Sequence, residues 1–482
     1  MPLVGVIAAA GRGTRAYPYT RLIPKAMLDV CGHPVLHYTL AILRDQLGVR
    51  DVVVVVGQHG DAISEYLGDG ARHSVRVTYV RNDRVDLGLA HSVLLTRERV
   101  PGSHFVLMLS DELYWGSNHR ELLATPYESA AATLAVRAHS TNREIRKNFS
   151  VDVDGEFVRA LVEKPASSPD GMLGCGTYIL SRDIYPVIER RFRESAPHAG
   201  DLTAALNDLI ATGAPVRHFA LSAGYVNINY QEDIHQARSI VRRSRLADAR
   251  VSLVMPCESE FPVIEDMLRL ARREPRIGEV LLVDRKQDPA LARLAATYNA
   301  RVVPAPHLTR KSFGGFFRAG IAHATGDIIV LSMDDDSFEL GDLDKLLAYM
   351  CDADLVLGTR TTSQLVQQGS NLNWVARVAN WALAKTIELL WFRRRARLTD
   401  AGCTFRAFWR DTYEQMAPGI ASDGPAFAPE MIVEALRRRL WVVEIPINYC
   451  RSTEESRIRV EHRNFGVFVS MLSMILAKRF QR

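Results

Sequence analysis

Residues 3–40 decide the fold, and their sequence is LVGVIAAAGRGTRAYPYTRLIPKAMLDVCGHPVLHYTL. The apolar run Leu3–Ala9 predicts a buried strand. Gly11 and Gly13 after it allow a tight turn whose N–H groups can face an anion. Arg15 can hold a phosphate as a fork, and Lys25 as a point charge. The stretch lacks the third glycine of GxGxxG and the GK[ST] of a P-loop. It predicts a phosphate-binding loop of another kind; the alternative is a glycine turn with surface cations.

Strand-like runs alternate with helical patterns along both halves of the chain. Continuous Val, Ile and Leu runs indicate strands buried on both faces, and their alternation with helices indicates βαβ units. We therefore predict an α/β protein with two domains, each a mostly parallel sheet flanked by helices. The charged stretch 239–250 indicates a helix end and a linker, so we predict domains at 1–243 and 249–482. The predicted strands are Leu3–Ala9, Val52–Val56, Val75–Val80, Phe105–Leu109, Ala131–Val136, Val251–Met255, Val280–Asp284, Arg301–Val303, Ile328–Met333 and Leu355–Leu357.

The composition limits the classes of protein. With 482 residues, 47% hydrophobic and 24% charged, the chain can build real cores, which excludes disordered and coiled-coil classes. A net charge of +5 gives no reason to predict nucleic acid as a partner. Six cysteines without a CxxC pair favour a reducing compartment over structural zinc. No run resembles a signal peptide or approaches the ~20 apolar residues that span a bilayer. We expect a cytoplasmic protein, soluble or peripheral at the inner membrane face.

The glycine-rich stretch at residues 11–40 resembles the signature of the sugar-phosphate nucleotidylyltransferases. Four later motifs continue the resemblance to about residue 240: DLGLA at 86–90, LMLSD at 107–111, VEKP at 162–165 and GCGTY at 174–178. The resemblance implies that Arg15 and Lys25 hold phosphates, that Asp111 binds Mg²⁺ and that Lys164 holds the sugar phosphate. It also implies nucleotide contacts at Ala9, Gly11, Gly13, Thr14 and Gly88, and sugar-phosphate contacts at Glu163 and Gly176.

The implied reaction joins an NTP and a sugar 1-phosphate. A phosphate oxygen of the sugar attacks the α-phosphorus, and pyrophosphate leaves. The second pKa of a phosphate monoester is about 6, so the nucleophile is already ionised and needs no base. The site must supply positioning and positive charge.

One departure from this family falls at residues 225–230, which are YVNINY. The family has a second metal-binding carboxylate here, whereas this chain has Asn227 and Asn229. Asn227 can still offer a carbonyl oxygen to Mg²⁺ but adds no charge. We expect an active enzyme with a weakened metal site; a half that binds nucleotide without efficient turnover is the alternative.

The triplet Asp334-Asp335-Asp336 follows the predicted strand Ile328–Met333. Alternate residues of a strand share a face, so Asp334 and Asp336 are predicted to point together and to hold a divalent cation. A helix N-cap or a solvated acidic loop is the alternative for the triplet alone.

The order of motifs in the second half resembles the family 2 glycosyltransferases, so both domains are expected to be Rossmann-like and of the GT-A type. The resemblance implies nucleotide contacts at Pro256, Glu258 and Asp284, and Mg²⁺ or Mn²⁺ at Asp334 and Asp336. Later motifs, DAGCTFR at 400–406, FAPEM at 427–431 and VEIPI at 443–447, narrow the likeness to polyprenyl-phosphate glycosyltransferases of the dolichol-phosphate mannose synthase type. That likeness implies that the donor diphosphate or an acceptor phosphate is held by Arg406, Arg451 and Arg457. Glu430 and Asp423 are candidate bases for a hydroxyl acceptor.

Two apolar helical stretches, 373–392 and 465–477, bear on the acceptor. The first is followed by RRRAR at 393–397, and aromatic residues beside clustered arginines suit an interfacial membrane helix. Core packing or a homo-oligomer interface is the alternative.

The sequence therefore predicts a nucleotidyltransferase fused to a glycosyltransferase. The first half makes an NDP-sugar, and the second transfers the sugar to an acceptor, for which a polyprenyl phosphate is one candidate. Three alternatives stay open: one half is only a nucleotide-binding or scaffold module, the first half is a cytidylyltransferase for a phosphoalcohol or phosphonate, or the chain is a membrane-associated adaptor.

Overall fold

The structure is a computed structural model that describes residues 2–11, 13, 23–138, 141–166, 172–368, 370, 374–392, 396–451 and 465–480. The chain divides into two compact units, Met1–Ile240 and Val241–Arg482. Each unit is an α/β fold with its own sheet and core, which confirms the predicted fold class.

Unit 1 is built on a mixed sheet. Its strands are β1 (Val4–Ala9), β2 (Asp29–Val30), β3 (His33–Pro34), β4 (Asp51–Val56), β5 (Arg76–Arg81), β6 (His104–Leu109), β7 (Glu112–Trp115), β8 (Ala132–Arg137), β9 (Phe149–Asp154), β10 (Phe157–Glu163), β11 (Leu173–Ser181), β12 (Val216–Ala220) and β13 (Gly224–Asn227). The main sheet has the order β5-β4-β1-β6-β11-β8-β12-β10-β9. Its first four strands are mutually parallel, and antiparallel pairings begin at β11. The parallel character predicted from sequence is therefore concentrated in the half of the sheet that contains β1.

Helices cover this sheet because each has one apolar face. In α5, the side chains of Ile184, Tyr185 and Ile188 are buried while Arg190 and Arg193 are exposed, as expected of an amphipathic surface helix. The helices of unit 1 are α1 (Val35–Ala41), α2 (Gly60–Leu67), α3 (Gly88–Leu94), α4 (Asn142–Ile145), α5 (Ile184–Arg193) and α6 (Leu202–Ala211).

The stretch 239–250 contains the predicted helix end, but the predicted linker is shorter than expected. Helix α7 (Gln231–Asp248) continues through most of this stretch, which leaves two residues before the next strand. The stretch contains no glycine or proline, and its Arg, Leu and Ala residues are good helix formers.

Unit 2 repeats the plan. Its strands are β14 (Val251–Pro256), β15 (Ile277–Asp284), β16 (Arg301–Pro304), β17 (Ile328–Leu331), β18 (Leu355–Thr359), β19 (Arg406–Trp409) and β20 (Val442–Pro446). Their order is β16-β15-β14-β17-β19-β18-β20, with the first four parallel and β19 antiparallel to both neighbours. The helices are α8 (Phe261–Arg273), α9 (Pro289–Thr297), α10 (Phe313–His323), α11 (Leu343–Tyr349), α12 (Trp374–Leu390), α13 (Arg410–Met416), α14 (Phe427–Arg437) and α15 (Phe465–Phe480).

Strand β17 ends at Leu331, two residues earlier than predicted, so the acidic triplet lies in a turn. Aspartate side chains accept hydrogen bonds from nearby backbone N–H groups, which competes with continued strand pairing. Asp335 does so here, since it accepts the N–H of Ser337.

Parallel neighbours bring their carboxyl ends to one edge of each sheet. In unit 1 these are the ends of β1 and β6, and in unit 2 the ends of β14, β15 and β17. Ligands of open α/β sheets bind at such edges, so this topology determines where the polar side chains that follow the strands can act.

Candidate active sites

The unit 1 site is centred on Lys25, in the 3-10 turn Lys25–Met27. Its Nζ lies 3.1 Å from Asp111 Oδ2 and 3.0 Å from Asn229 Oδ1. Asp111 follows β6 and Asn229 follows β13, so three distant segments meet at the ammonium group. Lys25 is mostly buried and Asp111 about one-third exposed, so the pair is open to solvent on one side.

A ladder of amide side chains extends from this lysine. Asn229 Nδ2 donates to Asn227 Oδ1 at 2.8 Å, and Asn227 Nδ2 donates to Asn148 Oδ1. Asp233 Oδ2 fixes the ladder because it accepts the N–H groups of Asn229 and Tyr230. The side-chain oxygen of Asn227, which was predicted to bind the metal, therefore accepts a hydrogen bond from Asn229.

The E-K-P segment lies beside the same ladder. The N–H of Lys164 donates to Asn148 O at 2.8 Å, and Lys164 adopts a left-handed φ of 43°. Its exposed Nζ lies 3.4 Å from Glu163 Oε1. The backbone geometry thus brings Glu163 and Lys164 to the edge that carries Lys25.

The predicted glycine contacts have different outcomes. Ala9 is the last residue of β1 and is buried, whereas Gly11 follows the strand and is exposed. Gly13 and Gly88 have φ of 63° and 83°, which favours glycine. A Cβ at Gly88 would also collide with Gly200 O. Thr14 and Arg15 lie outside the described residues.

Gly176 corrects a prediction. It is buried in β11 and its N–H donates to Glu112 Oε2 at 2.7 Å, so this N–H is not available to a sugar. A Cβ there would also crowd Leu109.

Glu112 is a buried carboxyl that the sequence analysis missed. It accepts hydrogen bonds from Gly176 N–H and from the hydroxyls of Tyr114 and Tyr225. Burial raises the pKa of Glu112 to about 7, although all three partners donate to it. It joins β7, β11 and β13, follows Asp111 in sequence, and lies opposite Asn227 in the β7–β13 register. The only indication of a buried carboxyl in the sequence was the presence of Tyr114 and Tyr225, whose hydroxyls donate to it.

The unit 2 site begins at Asp334, which is buried. Its Oδ2 accepts the N–H groups of Glu258 and Ser259 at 2.6 and 2.7 Å, so the triplet is joined to the loop after β14. Asp336 is half-buried, whereas Asp335 is buried and accepts from Ser337 within the turn. The different roles of Asp334 and Asp335 follow from the turn rather than from a strand period.

The carboxylate of Glu258 collects three cations. Arg285 donates to both of its oxygens at 3.0 and 3.1 Å, Arg310 Nε lies at 3.4 Å and Lys286 Nζ at 3.7 Å. Glu258 is fully buried while the cations are 25 to 40% exposed. A buried anion thus holds a cationic group that can face a ligand phosphate.

A pocket of about 340 Å³ opens beside this cluster. Asp284, at the end of β15, lines it, and its carboxylate accepts the N–H groups of Lys286 and Asp288. Pro256 is the buried last residue of β14, next to the pocket residue Cys257. The other lining residues are Ser259, Glu260, Phe261, Pro262, Ile264, Lys286, Asp288 and Leu291.

Arg406 does not hold a phosphate. It is buried, and its guanidinium donates to the carbonyl oxygens of Cys403 and Ala428. Burial lowers its pKa to about 10. The predicted anion contact is therefore corrected to an internal brace between β19 and α14. Arg451 is exposed, and Arg457 lies outside the described residues.

Glu430 is not poised as a base. It is buried in α14, where Oε2 accepts the N–H groups of Ala421 and Ser422, and Oε1 pairs with Lys478 at 3.0 Å. The pairing attaches α15 to α14. Asp423 is also ion-paired, with Arg318.

A buried ion pair and a carboxyl of raised pKa lie at residues 360–444. Arg360 donates to both oxygens of Asp400 at 2.7 and 2.8 Å, and this pairing lowers the pKa of Asp400. Glu444 accepts the N–H groups of Thr399 and Asp400, yet burial raises its pKa to about 7.

Metal binding rests on few acidic groups. Within the described ranges, no cluster of three or more His, Cys, Asp or Glu side chains is arranged to hold an ion. The donors available are Asp111 in unit 1 and Asp334 with Asp336 in unit 2, so a phosphate ligand would have to complete either set. Among the same residues, no helix is both long enough and apolar enough to cross a bilayer.

Cationic and acidic groups at the carboxyl edge of each sheet are suited to ligands that carry phosphates. The chain belongs to the nucleotidyl transferase family, whose sequence model matches residues 4–244. Residues 252–416 match the model of glycosyl transferase family 2. The chain thus carries one domain of each kind, and these families generally use divalent metals.

Relatives match the first half. A low-salt glycan biosynthesis nucleotidyltransferase of Haloferax volcanii is 28% identical over 240 residues, 49% of this chain and 65% of the relative. The UTP–glucose-1-phosphate uridylyltransferase AglF of that organism is 29% identical over 48% of this chain and 93% of its own. A solved UDP-glucose pyrophosphorylase complexed with UDP-glucose is 20% identical, with a TM-score of 0.44, over 51% of this chain and 100% of that chain.

The raised pKa of Glu444 predicts a pH-dependent stability. The folded-state pKa of Glu444 lies above the ordinary 4.5. Its contribution to the free energy of unfolding is therefore complete below pH 4.5 and is lost as the pH rises through about 7. Between about pH 5 and about pH 8, wild type should lose about 1–2 kcal/mol more than Glu444→Gln, after allowance for partial exposure. Urea unfolding at both pH values measures the difference. Equal losses in the two proteins would contradict the prediction.

Proposed function

We propose that unit 1 transfers a nucleotidyl group from an NTP to a sugar 1-phosphate, and that unit 2 transfers the sugar from the resulting NDP-sugar to an acceptor. The observation that carries the first step is the Lys25–Asp111–Asn229 contact at the carboxyl edge of β1 and β6. The second rests on the buried Asp334 and the cations around Glu258 beside a pocket.

In unit 1 the residues position and neutralise phosphates. Lys25 is held by two oxygens, so its charge is already in place when a triphosphate arrives. Asp111 would hold Mg²⁺, and the bound ion would offset phosphate charge. A single carboxylate is sufficient if the phosphate oxygens of the nucleotide supply the other ligands of the ion. The sugar 1-phosphate brings its own ionised oxygen, so this step requires no base.

In unit 2 the cations around Glu258 would face the diphosphate, and Asp334 and Asp336 would hold Mg²⁺ or Mn²⁺. Both candidate bases, Glu430 and Asp423, are engaged in ion pairs. This supports an acceptor that is already ionised, and we propose a phosphate acceptor of the polyprenyl phosphate class.

Pyrophosphate release tests the first activity. Wild type is incubated with each NTP in combination with sugar 1-phosphates, a phosphoalcohol and a phosphonate. At least one sugar 1-phosphate pair should release pyrophosphate, and Lys25→Ala should lower kcat/KM by about 100-fold or more, because phosphate neutralisation is lost. Lys345→Ala, a surface change in unit 2, is the control.

Two outcomes of this screen would overturn the proposal. Pyrophosphate release only with the phosphoalcohol or the phosphonate would show that the substrate of unit 1 is not a sugar 1-phosphate. No release with any pair would leave unit 1 as a nucleotide-binding module.

The metal site of unit 1 gives a second prediction. Asn227→Asp should tighten Mn²⁺ binding to the free protein by about tenfold, because it adds a second carboxylate near Asp111. Calorimetry without nucleotide measures this, and Asn299→Asp adds the same charge elsewhere as the control. Unchanged binding would show that residue 227 is not close enough to share an ion with Asp111.

The acidic turn of unit 2 gives a third. Asp334→Asn and Asp336→Asn should each weaken Mn²⁺-dependent NDP binding by about tenfold, while pyrophosphate release by unit 1 persists. Asp335→Asn is the matched control, since that carboxylate serves the turn through Ser337. Equal loss in all three variants would indicate a folding defect and contradict the assignment.

A further inference from the structure

Helix α12 exposes an apolar face. Leu383, Ala384 and Ile387 are buried on one side, whereas Trp374, Val378, Trp381 and Leu389 are exposed on the other, Trp374 by 75% and Leu389 by 72%. The exposed residues are spaced by four, three and eight positions, which places them on one helical face. Lys385 and Glu388 lie on the same face as an ion pair, so the face combines large exposed apolar side chains with charge, a pattern suited to a partner.

Helix α15 has the same character and packs against α12. Ile475 is buried, while Val469, Leu476 and Phe480 are exposed at helical spacing. Residues 465–482 contain three basic residues and no acidic one.

The positive charge of the protein is concentrated in these segments. Residues 374–397 contain six basic residues and one acidic residue, a net of +5, of which Arg393–Arg395 are counted from sequence alone. With +3 from 465–482 the two segments carry +8 in the sequence, so the rest of a chain of net +5 carries −3. Lys478 is paired with Glu430 and Glu434 of α14, so its charge is not directed at a partner. The one acid, Glu388, is paired with Lys385 and Arg397 at 2.7 and 2.6 Å.

We propose that α12 and α15 dock the chain on an anionic lipid bilayer, lying in the interface rather than crossing it. Exposed Trp, Val and Leu side chains can enter the headgroup region, and the basic residues are attracted to anionic lipid. A second copy is disfavoured as the occupant, because a symmetric dimer would bring two strongly basic segments together. The proposal goes beyond the transferase chemistry, and its test requires no substrate.

Vesicle co-sedimentation of the full chain tests this docking. Phosphatidylcholine vesicles are compared with vesicles that also contain phosphatidylglycerol. Wild type should bind the anionic vesicles, and binding should fall as salt is added. The double variant Arg393→Gln, Arg394→Gln should weaken binding by about 25-fold, at about fivefold per charge.

Apolar insertion is tested by the double variant Trp374→Ala, Trp381→Ala, which should weaken binding by about tenfold. Both side chains are exposed, so the fold should persist. Trp441→Ala, at another exposed tryptophan of unit 2, should bind as wild type does. Circular dichroism checks the fold of each variant.

Three outcomes would overturn the proposal: no binding to either vesicle, equal binding to both, or equal loss in Trp441→Ala and the double tryptophan variant. Sedimentation of the free protein supplies a further outcome. A dimer that the double tryptophan variant abolishes, without vesicle binding, would assign the face to a second copy.

Discussion

Lys25 is the point on which the unit 1 site depends. Its ammonium group joins Asp111 and Asn229, which lie 86 and 204 positions away in sequence, at the edge where β1 and β6 end. Charge-assisted hydrogen bonds that are partly shielded from solvent hold a side chain more firmly than exposed ones. The amide ladder and Asp233 hold Asn229 in place, so the cation is oriented before a phosphate arrives.

Unit 2 also orients positive charge at a sheet edge, but there the central group is a carboxylate instead of a cation. There a buried carboxylate, Glu258, holds three partly exposed cations, and the neighbouring Asp334 attaches the acidic turn to the same loop. Both arrangements place positive charge at a sheet edge and keep a carboxylate close to it. That combination suits substrates that carry phosphates together with a metal ion.

The strands were predictable because buried parallel strands have long apolar runs, and the position of both candidate sites was inferred because the carboxyl ends of such strands must meet. The burial of particular side chains was not. Gly176, Arg406 and Glu430 matched motifs, yet each is engaged inside the fold by partners from distant segments. Glu112 was overlooked because its pattern becomes visible only when β7, β11 and β13 are assembled. The helix predicted at α7 was too short because its charged residues were interpreted as a linker.

The central claim is that each unit has its own nucleotide site at the carboxyl edge of its sheet. The NDP-sugar is the product of one proposed step and the donor of the next, so it should occupy both. Equilibrium dialysis of the full chain with Mn²⁺ and the NDP-sugar identified by the pyrophosphate screen measures the stoichiometry directly. We predict two molecules bound per chain, and one after Asp334→Asn, Asp336→Asn; a single molecule bound per wild-type chain would contradict the account.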